Sequence, residues 1–101
     1  MASYAFHSEA ADEYLAATRY YLDHSSLLIA AAFVAEIEAG IQTLLQSPTT
    51  WPVIEEPHIR RYVLRRFPYS LYDRWESERE TVSIYAVMHF SQPPGYWRHR
   101  V

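Results

Sequence analysis

In residues 8 to 24, SEAADEYLAATRYYLDH, the positions Ala11, Tyr14, Leu15, Thr18, Tyr21 and Leu22 recur at the three-and-four spacing of an amphipathic helix. Ser8 is placed to cap it, with Glu9, Asp12 and Glu13 in the first turns, where a helix N-terminus favours negative charge. A second stripe, Ala30, Phe33, Val34, Ile37, Ile41, Leu44 and Leu45, predicts a helix from about Ser26 to Gln46 that stops at Ser47-Pro48. So short a link between them predicts an antiparallel helical hairpin. Ahead of it, residues 3 to 7 read as a short strand. Behind it, residues 47 to 58 hold three prolines and read as an irregular connection.

Beyond Pro57 the period changes to two. Strands are predicted at about 59–66, 69–76 and 81–90, separated by Phe67-Pro68 and by the polar turn SERE. The order β-α-α-β-β-β predicts an α+β fold, a helical hairpin packed on a mostly antiparallel sheet. At 101 residues the chain is one domain, 1–101.

Alternation then assigns faces. If Leu64, Leu71 and the series Val82, Ile84, Ala86 and Met88 look toward the helices, the other face carries Arg61, Arg65, Ser70, Tyr72, Arg74, Tyr85 and His89. Such a basic face interleaved with aromatics can contact phosphates and stack on bases. Solvated arginines on an exposed strand are the plainer reading of the same pattern. Pro68 and Tyr69 are expected to fix a corner, with the tyrosine ring under the helices. The tail SQPPGYWRHRV is a proline-broken extension, and Tyr96 and Trp97 are expected to fold back onto the core.

Charge sharpens the picture. The formal total is −3, but through Ile59 one arginine stands against eight acidic residues, a balance of −7, while from Arg60 onward eight arginines stand against four acids, a balance of +4. There is no lysine. Arginine supplies permanent, planar cations suited to phosphates and carboxylates, not a cation easily tuned into a base. The polarity predicts an anionic partner for the C-terminal half, nucleic acid or an acidic protein segment. With no cysteine there is no disulfide or thiolate chemistry, and a reducing cytoplasm is the expected location. The N-terminal stretch carries no readable secretory signal or anchor, and no segment is expected to reach the roughly 20 apolar residues of a membrane span. No membrane partner is expected. The five histidines show no metal-ligand spacing and the two glycines build no phosphate loop, so no metal or cofactor is expected.

The helical pattern AADEYLAATRYYLDHS…AAFVAEIEAGIQTLLQSP, the block WPVIEEPHIRRYVLRRFPYSLYDRW and the ending VSIYAVMHFSQPPGYWRHR, in this order and over nearly the whole chain, resemble the RelE/ParE superfamily of toxin–antitoxin toxins, in the branch often labelled plasmid stabilisation proteins. The resemblance implies a growth-inhibiting toxin neutralised by a cognate antitoxin whose extended or helical segment wraps it. RelE-like members cut mRNA in the ribosomal A site, and ParE-like members inhibit DNA gyrase without being nucleases. The fold does not choose between them. A degenerate, non-toxic protein-binding module of the same fold is the alternative.

Cleaving RNA needs a base for the 2′-hydroxyl, cations for the charge that builds on phosphorus, and an acid for the leaving oxygen. Carried over by position, the nuclease set falls on Arg61, on or next to His89 and on Tyr96, with Arg65 as a further cation. Two of its basic positions fall on Val63 and Ser70 instead, so the set is incomplete. A histidine such as His89 can serve as an acid or base in such chemistry, and Glu55 or Glu56 can supply a carboxylate beside it. Arg61, Arg65, Tyr72, Arg74 and Tyr85 form the candidate surface for nucleic acid or for an acidic antitoxin segment.

Overall fold

The computed structural model describes residues 2–101. In chain order the elements are β1 (Ser3–Phe6), α1 (Ser8–His24), α2 (Leu27–Gln46), β2 (Val53–Glu55), β3 (Ile59–Val63), β4 (Tyr69–Glu76) and β5 (Thr81–His89), with single 3-10 turns at Ser77–Arg79 and Arg98–Arg100. One sheet runs in the order β1-β5-β4-β3-β2. The β1–β5 pair is parallel and the other three pairs are antiparallel. This is the α+β arrangement that the patterning predicts, with one strand more: β2 forms inside the proline-rich connection, where Val53 and Glu55 pair with Arg60 and Ile59.

Local chemistry explains the helix ends. His7, not Ser8, caps α1. Its backbone N–H still donates to Ile84 of β5 (2.8 Å), its carbonyl accepts from Ala11, and its ring Nδ1 accepts from the Glu9 N–H (3.1 Å). One residue thus ends the ladder and starts the helix, which moves the cap back by one position. Ser26 caps α2 through its hydroxyl, which accepts from the Ile29 N–H (3.1 Å).

By length and composition α2 is apolar enough to cross a membrane, contrary to the expectation for this chain. In the fold it is the core helix. Ala30, Phe33, Ile37, Gly40, Ile41 and Leu44 are buried, and the core they join contains Ala10 and Ala17 of α1 with Leu71, Val82, Ile84 and Val87 of the sheet. Tyr69 lies in this core as expected, 5.1 Å from the Phe33 ring. Gly40 permits the close approach: a Cβ there would sit 2.9 Å from Cε1 of Tyr62 on β3.

A second, smaller core lies on the other side of the sheet: Ile59, Tyr72, Ala86, Met88 and Trp97, with Tyr85 and Tyr96 packed against it. Here strict alternation fails. Tyr72 pairs with Ala86 and Asp73 with Ile84, so Tyr85 has no partner across β4 and forms a bulge. Beyond it the sides of β5 exchange. Val87 turns to the helices, and Ala86 and Met88, expected there, face the opposite way.

Candidate functional site

The face of the sheet away from the helices is partly covered by the chain's own C-terminal tail. Trp97, 3 % exposed, packs on Tyr72 with ring centroids 5.2 Å apart. Contacts from Arg98, His99 and Arg100 to the carboxylates of Glu55, Glu9 and Glu13 hold the tail in place. Arg98 donates from Nε and Nη2 to the two carboxylate oxygens of Glu55, each at 2.7 Å. His99 Nε2 lies 2.9 Å from a Glu9 carboxylate oxygen. Arg100, its side chain 5 % exposed, pairs with Glu13 at 2.8 Å and donates to the Tyr85 carbonyl at 3.0 Å.

Glu13 is the hub of this clasp. Its Oε1 also accepts from the Val87 N–H (3.0 Å), in the stretch of β5 beyond its pairing with β1. Its Oε2 accepts the Tyr96 hydroxyl. The Arg100 guanidinium lies over the Tyr96 ring, 4.9 Å from the centroid. Burial, the Glu13 hydrogen bond and the Glu13 charge together hold the Tyr96 phenol well above the usual tyrosine range. Glu13 and Glu36 escape sequence reasoning as site-builders, although a signal exists. Glu13 lies three residues after Ala10 and four before Ala17, on the buried side of α1, and a carboxylate there calls for partners.

Between the tail and the strands a groove of about 270 Å³ remains, with Arg61, Ser70, Tyr72, Met88, Phe90 and Trp97 among its lining. Arg61 Nε donates to the Ser70 hydroxyl (3.2 Å). The terminal guanidinium nitrogens have no protein partner among the described residues. Arg74, on the same face of β4, lines a second hollow with Glu55, Trp97 and Arg98.

Arg61, Tyr72 and Arg74 therefore share one face, as the alternation predicts. Tyr72, though, lies under Trp97 and is only 7 % exposed, so its ring is not free to stack on a base. Arg65 does not share that face. β3 ends at Val63, and the Glu36 carboxylate of α2 accepts the backbone N–H groups of Arg65 and Arg66, turning the chain toward the helices. The Arg65 side chain lines a hollow with Ala35, Ala39 and Trp51.

His89 is also displaced, by the bulge at Tyr85. It pairs with Tyr69, stands edge-on to that ring at 5.0 Å, and shares a cleft with Glu13, Ala16, Ala17 and Tyr20 of the chain's first half. Its Nδ1 accepts from the Ser91 N–H (3.0 Å). Tyr85 itself lies at the sheet margin, half-buried, its ring 6.5 Å from His7. Neither Glu55 nor Glu56 meets the histidine: Glu55 is taken by Arg98, and Glu56 accepts from the His58 N–H (3.2 Å).

The family model for the ParE toxin of the type II toxin–antitoxin system, parDE, matches residues 4–94, and the chain belongs to that family. A solved structure described as the chromosomal ParDE TA system from P. aeruginosa is similar in fold, with a TM-score of 0.74 at 21% identity over 88% of this chain and 95% of that one. No curated protein matches the sequence. The chain is thus a ParE-type toxin of a type II toxin–antitoxin system, and such a system implies an antitoxin partner.

Proposed function

We propose that this toxin acts in the cytoplasm by binding DNA gyrase, without cleaving RNA, and that its antitoxin silences it by occupying the Arg61 side of the sheet with an acidic segment. One observation carries the choice of target. Arg61 and His89, the cation and the acid–base group that a nuclease would bring to one phosphate, lie on opposite faces of the sheet. General acid–base catalysis needs both within hydrogen-bond reach of the reacting atoms.

The third candidate adds to this. The Tyr96 hydroxyl is spent on Glu13, and a phenol held far above neutral pKa is a poor proton donor to a leaving oxygen at neutral pH. Gyrase inhibition asks for none of this chemistry. It asks for a binding surface, which the sheet face and the tail provide. The experiment is expression with and without the neighbouring gene. Induction of this chain alone arrests growth and co-expression of the neighbour restores it; harmless expression at high level in its own host would refute the toxin reading.

A further inference from the structure

We infer that the groove at Arg61 receives a glutamate or aspartate side chain carried between bulky apolar residues on an extended protein segment. The inference rests on the antitoxin reading above, which supplies a partner held against this face.

The charge count in the groove is the first argument. Two guanidinium groups line it, those of Arg61 and Arg98. Arg98 is already neutralised by two hydrogen bonds to Glu55, each 2.7 Å. Arg61 is held only at Nε, by the hydroxyl of the buried Ser70. That bond fixes the plane of the guanidinium and leaves its terminal nitrogens without a protein partner among the described residues. A fixed guanidinium fork with open ends matches one carboxylate, which it can bind through two parallel hydrogen bonds.

The walls are the second argument. Ile54, Met88, Phe90, Pro94 and Trp97 surround that single cation, and Phe90 is half exposed with its ring unpaired among the described residues. A phosphate backbone gains nothing from such walls, whereas apolar side chains on either side of an acid lose water-exposed area against them. The groove, at about 270 Å³, falls below the roughly 300–1,000 Å³ of pockets that enclose drug-sized ligands. It suits side chains reaching in from a segment that lies across it. Arg65, on the helix side of the sheet, is outside the site.

The probe is a nine-residue acetylated and amidated peptide with a central glutamate between leucines, compared by calorimetry at moderate salt with its glutamine counterpart. Wild-type protein is expected to prefer the glutamate peptide at least tenfold. Arg61→Ala abolishes the preference, Arg61→Lys reduces it, and Arg65→Ala retains it, each on protein shown to be folded by circular dichroism. Backbone amide shifts on binding are expected at Ser70, Tyr72, Met88 and Phe90. Equal affinity for the two peptides, a preference that survives in Arg61→Ala, or tighter binding of a uridine oligonucleotide in the same groove would overturn the inference. The antitoxin reading is separable. If the neighbour's product copurifies equally with wild type and Arg61→Ala, that reading stands and the groove drops out of it; if nothing copurifies and growth is unaffected, that reading fails whatever the peptides do.

Discussion

The Trp97 indole lies on the Tyr72 ring at 5.2 Å between centroids, so a residue of the C-terminal tail forms the centre of a core that the strands alone leave open. Ile59, Ala86 and Met88 complete it. Trp97→Ala is expected to cost about 3–5 kcal/mol, the range for emptying a large buried aromatic site. Urea unfolding measures it. A cost below about 1 kcal/mol would show that the tail is not seated on the sheet in solution.

Glu13 tests the clasp separately from the core. Replacing it with alanine leaves the Arg100 guanidinium, whose side chain is 5 % exposed, with only the Tyr85 carbonyl and a Glu9 oxygen 3.7 Å away, and removes acceptors for the Tyr96 hydroxyl and the Val87 N–H. Breaking a buried ion pair on one side costs about 3–5 kcal/mol, and the part exposure of Glu13 places this one at the lower end. Tyr96→Phe removes a single hydrogen bond and is expected to cost about 1 kcal/mol. The double variant should cost less than the sum, because both changes empty the same carboxylate.

Asp73 sets a pH dependence. It is buried on the helix side of β4, neither carboxylate oxygen has a hydrogen-bond partner, and its register partner is Arg60. Burial pushes its pKa up to about 7, against the opposing pull of Arg60, whose guanidinium is engaged by the Trp51 and Thr49 carbonyls. The folded state therefore holds a proton that the unfolded chain releases at an ordinary carboxylate pKa. The stability contribution is complete below about pH 4, declines as pH rises to about 7 and is lost above it. The decline is on the order of 3–4 kcal/mol. Unfolding of wild type and Asp73→Asn between pH 4.5 and 8.5 isolates this contribution. The variant should lack that part of the slope and equal or exceed wild type at pH 8; parallel curves would contradict it.

The helices, the last three strands and the buried Tyr69 corner were legible because each rests on local periodicity and on Pro68. What was not legible depends on partners distant in sequence. β2 exists because Val53 and Glu55 find the edge of β3. The bulge at Tyr85 reverses the sides of β5, so an alternation read from Val82 placed Ala86, Met88 and His89 on the wrong faces. Arg65 left its predicted face because Glu36, 29 residues earlier, captures its N–H. Arg61 and Arg74 stayed where alternation put them, on uninterrupted strands.

Gyrase inhibition and RNA cleavage give opposite results in two parallel reactions. Purified protein, added to gyrase and relaxed plasmid, is expected to inhibit supercoiling in proportion to its concentration. Messenger RNA in a parallel translation reaction should stay intact by primer extension, and His89→Ala should leave the inhibition unchanged. Unimpaired supercoiling together with A-site cuts that disappear in His89→Ala would contradict gyrase as the target.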